Sequence, residues 1–236
     1  MNNRNIEIMD TTLRDGEQTS GISFSAKEKL TISKLLIEEL KVDRIEVASA
    51  RVSKGEFDAV KNITDWATQK GYLDKIEILT FLDNGISLKW LENSGSICQN
   101  LLTKGSLNHL TYQIKKTPNE YFKEIEECIS NSKDNNISTN IYLEDWSNGM
   151  RNSIEYVFDY LDFLSTQPIK RILLPDTLGI LSPEETYSYV SKIIKKYPNI
   201  HFDFHAHNDY DLSVSNVIES IKAGCHGLHL TINGMG

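Results

Sequence analysis

No CxxC pair occurs in this chain, and its three cysteines, Cys98, Cys128 and Cys225, are odd in number and far apart. Neither a disulfide framework nor a zinc ribbon can organise such a sequence, so the thiols read as reduced and partly buried. Positive charge is in deficit as well: 25 Lys and Arg face 33 Asp and Glu, for a net charge of -8. An extended cationic surface able to neutralise phosphates is therefore missing, which argues against nucleic acid or an anionic membrane as a partner. No apolar run approaches bilayer-spanning length, and Met1-Asn2-Asn3-Arg4-Asn5 leads into a short strand-like segment rather than a signal core. The expected location is the cytoplasm. No linker, low-complexity tract or shift in composition marks a second domain.

What is present is alternation. Eight short apolar runs recur, each followed by a stretch of helical periodicity: 6–10, 44–49, 76–82, 109–114, 139–143, 171–174, 201–205 and 227–232. Most carry β-branched or bulky apolar residues without polar alternation, as strands covered on both faces should. Between them, Ser25 stands three residues before Glu28, a capping-box spacing, and Leu36 and Leu40 are expected on one buried face. Phe57, Val60, Ile63 and Trp66 form one stripe, Ile154, Val157, Phe158 and Leu161 another, and Val217, Ile218 and Ile221 a third ahead of the stop signal Gly224. Thr117-Pro118 and Ser182-Pro183 place a capping hydroxyl before a first-turn proline. Strand and helix in regular succession over 236 residues predict a parallel sheet, and eight strands at this length favour closure into a (β/α)8 TIM barrel over an open doubly wound sheet.

Catalytic groups of such a barrel gather at the carboxyl ends of its strands. The first strand leads into Asp10-Thr11-Thr12-Leu13-Arg14-Asp15-Gly16-Glu17-Gln18. This reads either as a solvated loop with a turn at Asp15-Gly16, or as Asp15 offering a hard oxygen ligand beside the fixed cation Arg14. The seventh ends in His205-Ala206-His207-Asn208-Asp209. Residues two apart on a strand face the same way, so His205 and His207 can aim both imidazoles at one point, and with Asp15 they make a two-nitrogen, one-carboxylate metal set. Glu46, Glu144-Asp145, Asp176-Thr177 and Asn233 add polar groups at other strand ends, each of which could alternatively be a cap or a core hydrogen-bonding group.

These motifs, with Leu174-Pro175-Asp176-Thr177-Leu178-Gly179 and Thr231-Ile232-Asn233-Gly234, resemble the acyl-transferring branch of the DRE-TIM metallolyase superfamily, which contains isopropylmalate, homocitrate and citramalate synthases. The resemblance implies that Asp15, His205 and His207 bind a divalent metal (Zn, Mn or Mg), that Arg14 steadies a developing alkoxide or enolate, and that Glu46 orients Arg14. Glu144 is the candidate base for the acetyl methyl proton, as a buried carboxylate of raised pKa across the barrel mouth. The segment Tyr142-Leu143-Glu144-Asp145-Trp146-Ser147-Asn148-Gly149 looks like the citramalate synthase version of its loop. Leu79, Leu102 and Tyr142 would then enclose the acceptor methyl, although the leucines also read as ordinary barrel core, and Thr177 would hold the acceptor carboxylate.

The implied reaction condenses acetyl-CoA with a small 2-oxo acid, pyruvate preferred, to give (R)-citramalate and CoA in branched-chain amino-acid biosynthesis. The alternatives are 2-oxoisovalerate as acceptor, giving 2-isopropylmalate, and retro-aldol cleavage of the hydroxymethylglutaryl-CoA lyase type. By the same resemblance the enzyme acts as a homodimer. The family continues past Asn233-Gly234 with Glu-Arg and a Gly-Asn, so residues 1–236 are expected to be a C-terminally truncated catalytic barrel lacking the last helix, the CoA subdomain and the regulatory domain.

Overall fold

The computed structural model describes residues 5–236. The leading Met1-Asn2-Asn3-Arg4, read above as free of a signal core, lies outside the described residues. Eight parallel strands close into a barrel in chain order, β1 (Glu7–Asp10), β2 (Arg44–Ser49), β3 (Ile76–Phe81), β4 (Cys98–Lys104), β5 (Ser138–Glu144), β6 (Arg171–Asp176), β7 (Phe202–Ala206) and β8 (Gly227–Leu230). Eight helices separate them: α1 (Ala26–Lys34), α2 (Lys54–Lys70), α3 (Ile86–Ser94), α4 (Pro118–Asp134), α5 (Trp146–Asn152), α6 (Ile154–Leu164), α7 (Pro183–Lys196) and α8 (Ser213–Ala223). The (β/α)8 expectation holds. Among the described residues no helix is long and apolar enough to cross a membrane.

Local chemistry explains most boundaries. Ser25 and Glu28 form the expected reciprocal capping box at α1, and Ser182 and Glu185 form another at α7 behind Pro183. At α4, the Glu120 amide donates to the Thr117 hydroxyl while the Glu120 carboxylate accepts from the Thr117 amide. Gly71, Gly95 and Gly224 end α2, α3 and α8 in the left-handed conformation that a glycine adopts without a Cβ clash.

Contact density divides the chain into two compact units. One, Glu7–Leu101 with Ser132–Thr139 and His229–Gly236, is cored by Val47, Val60, Ile63, Ala67, Ile78 and Leu91 among others. The other, chiefly Leu102–Asn131 and Asn140–Leu228, is richer in aromatics. There Phe122 stacks on Tyr160 and Phe163 at 4.9 Å between centroids in each case, and Trp146 meets Phe204 edge to face.

Three expectations need correction. The fourth strand is Cys98–Lys104, not 109–114, and His109–Ile114 instead winds as a wide π-helical turn closed by Lys115 at φ 59°. Leu36 and Leu40 do not share a buried face: a similar π turn over Leu35–Leu40 rotates Leu40 outward, so that it is 59% exposed against 3% for Leu36. In α8 the fully buried positions are polar, Asn216 and Ser220, while Ile218 is exposed. Asn216 donates from Nδ2 to the Leu181 carbonyl and Ser220 to that of Val217, which offsets part of the cost of burying them.

Candidate active site

The strand end of β7 carries the histidine pair. His205 and His207 bring their Nε2 atoms to 3.3 Å, the convergence that their i, i+2 spacing allows. The His207 amide donates to the Asp176 carbonyl, and the Asp176 carboxylate accepts from the amides of Ile180 and Leu181 at 3.1 and 3.0 Å. Asp176 is thus a loop-holding carboxylate, as its alternative reading had it. The buried Tyr142 ring stands edge-on to His205 at 6.0 Å between centroids. Thr177 accepts the Asp145 amide on its hydroxyl oxygen at 2.9 Å, which leaves the hydroxyl hydrogen to donate elsewhere.

Glu144, the last residue of β5, is not the buried carboxylate expected. Its side chain is 25% exposed and pairs with Lys104, the last residue of β4. Lys104 is held by two phenols: its amide donates to Tyr121 Oη at 2.9 Å, and its carbonyl accepts from Tyr156 Oη at 2.8 Å. Burial pushes both phenols well above their ordinary pKa, so Tyr156 remains a donor throughout the working pH range. Leu102, two residues before Lys104, shares its strand face.

In the unit that holds β1, β2 and β3, a second polar cluster forms. The Arg14 guanidinium donates from Nε to the Glu46 carboxylate and from Nη1 to Asp15 Oδ1, the latter at 2.6 Å. Glu46 is fully buried and accepts on its second oxygen from Asn100 Nδ2 at 2.7 Å. The loop bearing Arg14 and Asp15 folds back on itself, since the amides of Arg14, Asp15 and Gly16 all donate to the Thr11 carbonyl. Behind it, burial raises the pKa of Asp10, and the hydrogen bonds from the Thr12 amide and hydroxyl pull the other way. Leu79 lies buried in β3.

Ligand atoms of Asp15, His205 and His207 lie within 4.8 Å of one another. Two nitrogens 3.3 Å apart match the spacing of neighbouring ligands that each stand about 2.0–2.1 Å from a tetrahedral cation. Two imidazoles and a carboxylate suit Zn, Mn or Mg, and the residues fit a divalent ion. Sequence reading missed Lys104 and Asn100 as partners of Glu144 and Glu46. Both sit in β4, the one strand misplaced, and a correct strand there would have exposed them by parity with Leu102.

Comparison with known proteins places the chain in a family. The chain is 32% identical over 238 residues to 2-isopropylmalate synthase of Sulfolobus acidocaldarius, matching all of this chain and 59% of that one. It is 29% identical to (R)-citramalate synthase of Methanocaldococcus jannaschii, over 98% of this chain and 45% of that one. The chain therefore spans about half the length of the curated relatives it matches. Among solved structures, HMG-CoA lyase of Bacillus subtilis shares the fold with a TM-score of 0.81 at 19% identity, covering 99% of this chain and 78% of that one. The family profile described as HMGL-like matches residues 5–236, and the chain belongs to the HMGL-like family.

Proposed function

We propose that this chain is the catalytic barrel of an enzyme that condenses acetyl-CoA with pyruvate to give (R)-citramalate and CoA. Relatives named 2-isopropylmalate synthase and (R)-citramalate synthase support condensation with a 2-oxo acid. The observation that carries the choice of pyruvate is Tyr142, whose buried ring packs edge-on against the metal-candidate His205. A ring of that size beside the acceptor position leaves room for a methyl and disfavours an isopropyl group.

A divalent cation held by Asp15, His205 and His207 would supply Lewis acidity toward the carboxylate and ketone oxygens of the 2-oxo acid. Thr177 donates its free hydroxyl hydrogen to the acceptor carboxylate, while Leu79, Leu102 and Tyr142 enclose the methyl. Glu144 takes a proton from the acetyl methyl, and Lys104 holds the carboxylate in place. The methyl carbon then bonds to the ketone carbon, and negative charge moves onto the ketone oxygen. Arg14, its guanidinium plane fixed by Glu46 and Asp15, faces that charge as it appears. Hydrolysis of the thioester by water releases CoA and leaves the dicarboxylic acid.

The test is CoA release from acetyl-CoA with pyruvate or 2-oxoisovalerate as acceptor. Pyruvate is expected to give the higher kcat/KM, and Tyr142→Ala to narrow that preference by about 10- to 100-fold. Equal rates with the two acids in the unsubstituted protein would end the pyruvate assignment. Cleavage of 3-hydroxy-3-methylglutaryl-CoA without any condensation would replace it with a lyase.

A further inference from the structure

A fully buried ammonium is uncommon, because withdrawing its charge from water costs more than a single contact returns. Lys29 of α1 is 0% exposed, and nothing in the chemistry above uses it. Its Nζ lies 3.0 Å from the Leu13 carbonyl, 3.3 Å from the Val47 carbonyl, 2.5 Å from Glu56 Oε1 and 2.6 Å from Glu17 Oε2. Leu13 immediately precedes Arg14, and Val47 immediately follows Glu46. Val47 also stands where the register of β2 against β3 shifts between Glu46 and Ala48. At such a bulge one residue drops out of the ladder, and here its carbonyl turns to the ammonium. Glu17 ties the remaining edge, its Oε1 accepting the Phe24 amide at 2.8 Å.

From this geometry we infer that Lys29 is a positioning residue that clamps the backbone before Arg14 to the backbone after Glu46, and so sets the angle at which the guanidinium is presented. The inference rests on Arg14 acting in the proposed condensation. An ordinary core ion pair would affect stability alone, because its loss would be felt equally by the resting enzyme and the transition state. A clamp on these two carbonyls acts on the one pair whose orientation matters when charge develops, so its loss is felt in kcat. Two carboxylates around one ammonium also make the charge hard to replace: a neutral side chain would leave Glu17 and Glu56 facing each other with no cation between them.

The experiment compares Lys29→Met, Lys29→Arg and the milder Glu56→Gln with Leu91→Ala, a core truncation in α3 chosen to lower Tm without touching the clamp. Hydrogen exchange over residues 11–18 and 46–50 reads the clamp directly, and CoA release with pyruvate reads its consequence. Lys29→Met is expected to speed exchange in both segments beyond Leu91→Ala at matched stability, and to lower kcat by about 10- to 100-fold with KM for pyruvate changed less than about threefold. Lys29→Arg should restore most of both, and Glu56→Gln should lie between. If Lys29→Met does not fold, Glu56→Gln against Leu91→Ala carries the comparison. Exchange and kcat indistinguishable from Leu91→Ala would overturn the clamp. Should the unsubstituted protein release no CoA with either acid, the functional assignment falls by itself and the exchange data alone decide the clamp.

Discussion

The two cation–carboxylate pairs of the site are built to opposite specifications. Arg14 and Glu46 are 9% and 0% exposed, and each has a further partner, Asp15 for one and Asn100 for the other. Lys104 and Glu144 are 15% and 25% exposed, with Lys104 fixed through its backbone. A cation that meets charge arising in a transition state gains from being oriented beforehand, because no reorganisation remains to be done. A base must also return its proton to solvent, and a carboxylate partly open to water can do so. Rigidity in one pair and access in the other therefore suit the two roles proposed.

The largest expected effect would remove the proposed metal centre. Asp15→Ala deletes one of three candidate ligands along with a partner of Arg14, so Mn2+ binding by calorimetry should vanish and CoA release should fall to background. Chelation of the unsubstituted protein should do the same, reversed by added metal. Next comes Glu144→Gln, which should lower kcat by about 10²- to 10⁴-fold with metal affinity intact. Full activity in that variant would move the base elsewhere.

Glu46→Ala should lower kcat by about 10²-fold and also cost about 3–5 kcal/mol in chemical denaturation, because it removes the fully buried carboxylate that both the Arg14 guanidinium and the Asn100 amide donate to. The smallest stability effect belongs to Lys104→Met, expected at under about 1 kcal/mol since its pair is partly open to water and screened, with kcat reduced by about tenfold. A loss of stability as large as that of Glu46→Ala would show that the contrast between the pairs is false.

How much could be read without the structure follows from where the binding partners lie. His205 and His207 advertise themselves because strand geometry alone makes neighbours of residues two apart. The caps at Ser25, Thr117 and Ser182 are equally local, and all were legible. β4 was not, because its polar residues Gln99, Asn100 and Thr103 look wrong for a covered strand. Each is satisfied by distant groups: Gln99 accepts from Thr80 and donates to Ser132 and Thr139, and Thr103 accepts from Tyr160 and donates to the Tyr142 carbonyl. Glu144 failed in the opposite direction, expected buried and found 25% exposed, paired with a Lys104 that lies in the misplaced strand.

Alternation of strand and helix, the capping chemistry and the short motifs around Arg14, Asp15, His205 and His207 are properties of the sequence itself, since each depends on residues a few positions apart. Tertiary structure alone decided which charges face which: Asn100 behind Glu46, Lys104 against Glu144, and a buried Lys29 spanning the backbone beside Arg14 and Glu46. Those pairings join residues remote in the chain, and the energy of an ion pair is set by separation and burial in space, which no local pattern encodes.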